Sequence, residues 1–129
     1  MGVFRVPLQV AAPSGDRFVD VEAVVDTGAS YTLLPSRLLV DLGVRGIERV
    51  RTRVADNRVV EMEIGEARLR LDGRERTVVV LFGPEDATPL LGATSLEVFG
   101  LAVDPMAQRL VSVEVLLLWH GYRRRYPPM

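Results

Sequence analysis

Short runs of Val, Ile and Leu recur along most of this chain. Apolar and charged residues alternate from Ala67 to Leu71, and the segment Arg58 to Ile64 places three apolar side chains on one face. This period of two is typical of half-buried strands, whereas the continuous apolar run Thr77 to Phe82 predicts a strand covered on both faces. Phe18 to Val25 and Val111 to Val115 complete the strand predictions.

Turn-forming residues separate the predicted strands. Pro13 to Asp16 connects the first two strands, Asp56-Asn57 is a hairpin candidate, and Gly65-Glu66 and Asp72-Gly73 separate later runs. The spacing therefore predicts short strands joined by tight connections.

Two short helices interrupt this pattern. Ser36 is expected to cap a helix from Arg37 to Leu42 that ends at Gly43. A second helix is predicted around Ser95 to Phe99, opened by the one or two residues before it and ended by Gly100. Strands at short spacing with so little helix predict a mainly β fold, either a small barrel or a sandwich.

Composition places the chain among ordinary globular proteins. It has 129 residues, 48% of them apolar, and a net charge of −1, so no overall charge attracts nucleic acid or an anionic membrane. We expect one domain over residues 1–118 and a basic, solvated and partly disordered tail over 119–129. Arg123 to Arg125 lie between aromatic residues in this tail, and nucleic-acid binding there is the less favoured interpretation.

Several kinds of chemistry are excluded by residue type. The chain has no cysteine, which rules out disulfides and thiolate catalysis, and its single histidine, His120, cannot build a multi-histidine metal centre. No signal-peptide pattern and no apolar run near the roughly 18 residues of a membrane helix is present, so a soluble, cytoplasmic protein is expected.

The candidate chemistry lies at Asp26. Val24-Val25 leads directly into Asp26-Thr27-Gly28, which predicts a carboxylate at the end of a buried strand, followed by a tight turn. An Asp-Thr-Gly triplet occurs by chance in about 3% of chains of this length. An ordinary capping or Asx turn therefore explains the motif as well as a catalytic site does.

A catalytic interpretation needs a second carboxylate. Two carboxylates about 3 Å apart cannot both ionise, so they share one proton. The ionised group can deprotonate a water, while the protonated group donates to the carbonyl of a scissile peptide bond. The chain contains one Asp-Thr-Gly, because Asp41-Leu42-Gly43 and Asp72-Gly73 fit a helix end and a hairpin turn. The second Asp26 would therefore come from an identical chain across a two-fold axis.

Several motifs resemble, in order, those of the retropepsin-like aspartic proteases, especially the small single-domain microbial members. Val25 to Leu34 is similar to the active-site strand of that family, and Val54 to Glu61 lies where the family has its flap hairpin. Pro89 to Gly92, followed by a short helix, resembles the apolar strand beneath the active-site loop, and Gly100 to Pro105 resembles the closing strand and turn. The resemblance spans roughly Phe4 to Val115.

This resemblance implies a small closed β-barrel that acts as a homodimer on extended peptides. It makes Asp26 the catalytic residue of an aspartic endopeptidase, without metal or cofactor. The turn is supported by Thr27, Gly28, Ala29 and Ser30, and Leu90, Leu91 and Gly92 lie under the site. It also implies that part of the chain ends, Met1 to Phe4 and Val111 to Leu118, contributes to the subunit interface. Leu33 and the region Leu81 to Leu90 are candidate subsite walls.

The predicted flap departs from the retroviral pattern. Its tip, Ala55, Asp56, Asn57 and Arg58, contains no glycine, whereas the retroviral tip is rich in glycine. Asp and Asn tolerate positive φ, so the turn can form, but we expect a flap that is stiffer or that closes differently. The alternative function is a catalytically silent domain of the same fold that binds peptides or mediates oligomerisation.

Overall fold

The computed structural model describes residues 4–120, which form nine strands and two short helices. In chain order these are β1 (Arg5–Ala11), β2 (Val19–Val25), β3 (Thr32–Pro35), α1 (Ser36–Leu42), β4 (Gly46–Arg53), β5 (Val59–Leu71), β6 (Arg74–Gly83), β7 (Leu90–Leu91), α2 (Ala93–Val98), β8 (Leu101–Asp104) and β9 (Arg109–Ser112). The predicted mainly β fold with two short helices is confirmed. Neither helix is long or apolar enough to cross a membrane within the described part of the chain.

Six strands are paired in a ring. The main sheet has the order β1-β2-β7-β3-β6-β5-β4, and β5 also pairs with β1, so the ring closes and β4 lies outside it as an edge strand. β8 and β9 form a separate hairpin. Ring closure leaves few free strand edges and encloses one core.

The core follows from the alternation of the strands. Its fully buried members include Val10, Ala23, Leu69, Val80 and Leu91, one from each of five ring strands. The helices add Leu39 from α1 and Leu96 from α2, with Phe99 directly after α2. The inward side chains fix the register of β2, which ends at the buried Val25, one residue before Asp26.

The two-residue strand β7 lies between β2 and β3. It runs parallel to β2, with Leu90 and Leu91 opposite Val24 and Val25, and antiparallel to β3, with Leu90 opposite Leu33. The chain between β2 and β3 is the Asp26 turn. β7 therefore contacts the strands that enter and leave this turn.

Helix α1 begins one residue earlier than expected. Pro35 is its N-cap, so the predicted capping role of Ser36 is wrong. Ser36 is the first helical residue instead, and its hydroxyl donates to the carbonyl oxygen of Gly83 at 2.9 Å. Gly43 ends the helix at a φ of 88°, as predicted.

The predicted turn at Gly65-Glu66 is also wrong. β5 continues through it, and Gly65 pairs with both Val80 and Gly46. A Cβ at Gly65 would lie 2.6 Å from the carbonyl oxygen of Arg45, so the glycine permits close packing of the backbone.

The other turn predictions have mixed outcomes. The turn at Asp72-Gly73 is confirmed, with φ values of 55° and 76°. The last predicted strand, Val111 to Val115, is placed too far along the chain, because β9 spans Arg109–Ser112. Only the first two residues of the predicted tail 119–129 lie within the described residues.

Candidate active site

Asp26 lies in a tight turn at the end of β2. Its backbone N–H donates to the carbonyl oxygen of Leu91 at 3.0 Å, which continues the β2–β7 pairing by one residue. Its Oδ1 accepts from the N–H of Gly28 at 2.9 Å, and its carbonyl accepts from Ala29 at 3.2 Å. The side-chain contact is an Asx-turn hydrogen bond, so this local geometry agrees with either interpretation of the motif.

Hydrogen bonds from the start of α2 hold the rest of the turn in place. The N–H groups of Ala93 and Thr94 donate to the carbonyl oxygens of Ala29 and Ser30, at 2.8 and 3.0 Å. Gly92 makes this approach possible, because a Cβ there would lie 2.5 Å from the carbonyl carbon of Tyr31. The Leu90-Leu91-Gly92 segment and the Asp26 turn, separated by about sixty residues in sequence, are therefore in direct contact.

The remaining predicted turn residues face outward. Thr27, Gly28 and Ser30 are exposed, whereas Ala29 is half-buried. A Cβ at Gly28 would lie 3.2 Å from Asp26 Oδ1, which is tighter than most such contacts. The small residue leaves room for the Asp26 carboxylate to accept the Gly28 N–H.

Two buried hydroxyls near the turn were not predicted. Thr32 Oγ1 accepts from the N–H of Gly92 at 3.1 Å and lies 2.6 Å from Ser95 Oγ. Thr32 is 0% exposed and Ser95 1%. The sequence held a weak signal for their burial. Thr32 is two residues from the buried Leu34 in β3 and so points to the same face, and Ser95 is next to the buried Leu96 in α2.

An apolar row crosses the sheet beside Asp26. Register partners run from Ile64 in β5 through Leu81, Leu33 and Leu90 to Val24 in β2. Leu81 is buried and the other four are half-buried. Since Val24 and Asp26 are two residues apart, they lie on the same face of the sheet. This row is named here the apolar row. It includes the predicted subsite residue Leu33 and the two ends of the predicted region Leu81 to Leu90, but not the residues between them.

The predicted flap is a hairpin of β4 and β5. One face carries the half-buried side chains of Val50, Thr52, Val60 and Met62, which are cross-strand partners. Arg49, Arg51, Glu61 and Glu63 share the opposite, exposed face, and Arg49 pairs with Glu61 at 3.3 Å. The hairpin therefore has one apolar and one charged side.

The hairpin tip closes without glycine. Asn57 has a φ of 74°, and the N–H of Val54 donates to the carbonyl oxygen of Arg58 at 2.9 Å. Asp56 Oδ2 accepts from Arg58 Nε at 2.7 Å, and an Arg53 guanidinium N–H donates to the Asn57 carbonyl oxygen at 3.0 Å. Within the described residues these side-chain bonds stay inside 53–58, and none joins the tip to the Asp26 turn.

Metal chemistry has no evident site in this part of the chain. Residues 4–120 contain no group of three or more His, Cys, Asp or Glu side chains that could hold a metal ion.

Solved structures share this fold at low sequence identity. The EIAV protease complexed with the inhibitor HBY-793 is 17% identical, with a TM-score of 0.56, and the match covers 85% of this chain and 93% of that one. A retropepsin-like aspartic protease from Rickettsia conorii is 22% identical, with a TM-score of 0.51, over 81% of this chain and 89% of that one. The retroviral protease-like domain of Ddi1 from Leishmania major is 19% identical, with a TM-score of 0.51, over 84% and 87%.

Sequence comparison identifies the family. No curated protein matches this chain. Residues 8–95, which make up most of the chain and include the Asp26 turn, the hairpin β4–β5 and the Leu90-Leu91-Gly92 segment, match the family described as aspartyl protease. The chain therefore belongs to the aspartyl protease family and has a retropepsin-like fold.

Proposed function

We propose that this protein is an aspartic endopeptidase that acts as a homodimer, with Asp26 of each chain as the catalytic carboxylate. The observation that carries the proposal is the position of Asp26, which lies at one end of the apolar row in a turn fixed by backbone hydrogen bonds. An apolar surface beside a carboxylate suits a peptide whose side chains are apolar. The proposed protease unit spans residues 1–118.

The proposed reaction needs two Asp26 side chains. With the carboxyls about 3 Å apart, one is ionised and takes a proton from a water between them, while the other donates to the oxygen of the scissile carbonyl. The water oxygen bonds to the carbonyl carbon, which gives a gem-diol. The C–N bond then breaks as the carboxyl that took the water proton passes it to the amine nitrogen, while a gem-diol hydroxyl returns its proton to the other carboxyl and becomes the new carbonyl oxygen.

An exposed apolar segment supports dimerisation. After β9, the side chains of Val115, Leu116, Leu117 and Leu118 are largely exposed, Leu118 at 93%. Covering such side chains with a second copy removes apolar surface from water. This segment is part of the predicted interface Val111 to Leu118. Of the predicted N-terminal interface segment, Met1 to Val3 lie outside the described residues.

The β4–β5 hairpin is proposed to act as the flap. Its apolar face, with Val60 and Met62, would cover the substrate, while Arg49 and Arg51 stay in solvent. An extended peptide held between a flap and the apolar row would place alternate side chains against the two surfaces. We therefore expect extended peptides with apolar residues around the cut, and no role for nucleic acid.

Sedimentation at several concentrations, followed by a peptide-library digest, tests the proposal. We expect a dimer in the active concentration range and cleavage between apolar residues, abolished in Asp26→Asn with the fold unchanged. Equal turnover by Asp26→Asn would exclude the mechanism. A folded monomer that binds peptides without cutting them would support the silent-domain alternative.

A further inference from the structure

A single peptide group joins the backbone of Asp26 to two buried hydroxyls. The carbonyl oxygen of Leu91 accepts from the Asp26 N–H at 3.0 Å. The N–H of the same peptide group, which belongs to Gly92, donates to Thr32 Oγ1 at 3.1 Å. Thr32 Oγ1 in turn lies 2.6 Å from Ser95 Oγ. These groups form a continuous relay, named here the Asp26 relay.

Burial gives these hydrogen bonds their importance. Thr32 and Ser95 are the two buried polar side chains among the described residues. Because water does not reach them, a lost partner would leave the Gly92 N–H or a hydroxyl unsatisfied, which buried groups rarely are. Hydrogen bonds in such a chain also polarise one another, so an acceptor for the Gly92 N–H strengthens the Leu91 carbonyl as an acceptor for Asp26.

The Asp26 relay crosses every element that surrounds the turn. Asp26 follows β2, Leu91 ends β7, Thr32 begins β3 and Ser95 lies in α2. Ala93, the first residue of α2, also donates its N–H to the carbonyl oxygen of Ala29 in the turn. A shift of the Leu91–Gly92 peptide would therefore move both the start and the middle of the Asp26 turn.

We propose that Thr32 and Ser95 are positioning residues for Asp26, acting through the Leu91–Gly92 peptide. The catalytic consequence rests on the proposed function, since a carboxylate pair must be held accurately and a displacement of about 1 Å can cost about 100-fold in rate. The structural consequence, a fixed Asp26 backbone, does not depend on catalysis.

The main test replaces the Thr32 hydroxyl. Thr32→Val keeps the size of the side chain but leaves the Gly92 N–H without its acceptor. We expect kcat to fall by about 10-fold or more with KM changed less than about twofold, because the loss affects the reacting group and not the binding surface. Thr32→Ser restores the hydroxyl and should return kcat to within about threefold of the wild type.

Ser95→Ala is a milder second variant. It removes the outer hydroxyl and leaves the bond from Gly92 to Thr32 in place, so it tests the relay even if Thr32→Val folds poorly. We expect a smaller fall in kcat than in Thr32→Val, and an effect of the double variant below the product of the two single effects, because both act on one chain of bonds.

Ser36→Ala is the matched control. This substitution also removes a hydroxyl that bonds to the backbone, because Ser36 Oγ donates to the Gly83 carbonyl oxygen at 2.9 Å. That hydrogen bond joins α1 to β6 and lies outside the Asp26 relay. We expect kcat to stay within about twofold of the wild type. An equal fall in kcat for Ser36→Ala and Thr32→Val would overturn the proposal, because it would indicate a general loss of structure.

Hydrogen exchange at the Asp26 amide separates this proposal from the proposed function. The Asp26 N–H should exchange faster in Thr32→Val than in wild type, and at the wild-type rate in Thr32→Ser and Ser36→Ala. If the wild type cuts no peptide but this exchange pattern is found, the proposed function fails and the positioning role stands. Unchanged exchange at Asp26 in Thr32→Val would overturn the positioning role, whatever the activity.

Discussion

The Asp26 turn and the tip of the proposed flap are both short turns, but they are held in opposite ways. The turn at Asp26 is fixed by main-chain bonds to Leu91, Ala93 and Thr94, residues that are distant in sequence. The tip at residues 54–58 is closed by bonds among its own residues and Arg53, and its side chains are mainly exposed. The first turn therefore depends on the whole fold, whereas the second is a local structure that can change while the ring of strands stays intact.

The largest expected effect is that of Gly92→Ala. Its Cβ would lie 2.5 Å from the Tyr31 carbonyl group, which is backbone and cannot move without displacing the Asp26 turn. We expect a loss of about 3 kcal/mol or more in the free energy of unfolding, measured by urea denaturation. Gly15→Ala is the control, since its Cβ would have ordinary contacts at 3.4 Å and beyond. A small effect at Gly92 would contradict the close packing of the turn against α2.

A smaller effect is expected for Asn57→Val at the flap tip. A β-branched residue at a φ of 74° is strained, and the valine also loses the 3.2 Å bond from Arg53 to Asn57 Oδ1. We expect a loss of about 1–2 kcal/mol in the free energy of unfolding, with hydrogen exchange accelerated within residues 54–58 and unchanged at Asp26. Asn57→Gly, which adopts this φ freely, should stay near the wild type. Accelerated exchange at Asp26 in Asn57→Val would show that the two turns are coupled.

The smallest effect is expected for Asp56→Ala. Its carboxylate pairs with Arg58 at 2.7 Å, but both side chains are more than half exposed, so water and salt screen the pair. We expect a change of about 0.5 kcal/mol or less in the free energy of unfolding, measured at low and at high salt. A loss above about 1 kcal/mol would mean that the Asp56 carboxylate, which also accepts the Arg58 backbone N–H at 3.1 Å, contributes more to the closure of the tip than its exposure implies.

Local features of this fold could be predicted, and contacts between distant segments mostly could not. The φ of Asn57 and the helix end at Gly43 follow from residue types at turns, and the alternation from Ala67 to Leu71 revealed its strand. The prediction of a turn at Gly65 is wrong because the glycine serves a different purpose. It leaves room for the nearby Arg45 carbonyl oxygen, and this closeness arises only when β5 pairs with β4.

The candidate site shows the same division. Its turn and the Leu90-Leu91-Gly92 segment were identified by motif. The Thr32–Ser95 pair was missed because the two hydroxyls are 63 residues apart in sequence and meet only when β3 packs against α2. A buried polar residue in a strand has no local signature beyond its parity with buried neighbours.

The central claim is that each chain supplies half of one active site, and mixing subunits tests it most directly. Wild type and Asp26→Asn are combined at constant total concentration, allowed to exchange, and assayed on a peptide cut by the wild type. Because a mixed dimer has only one carboxylate at the two-fold axis, activity should fall as the square of the wild-type fraction. A linear fall would show that each chain works alone and would contradict the shared site.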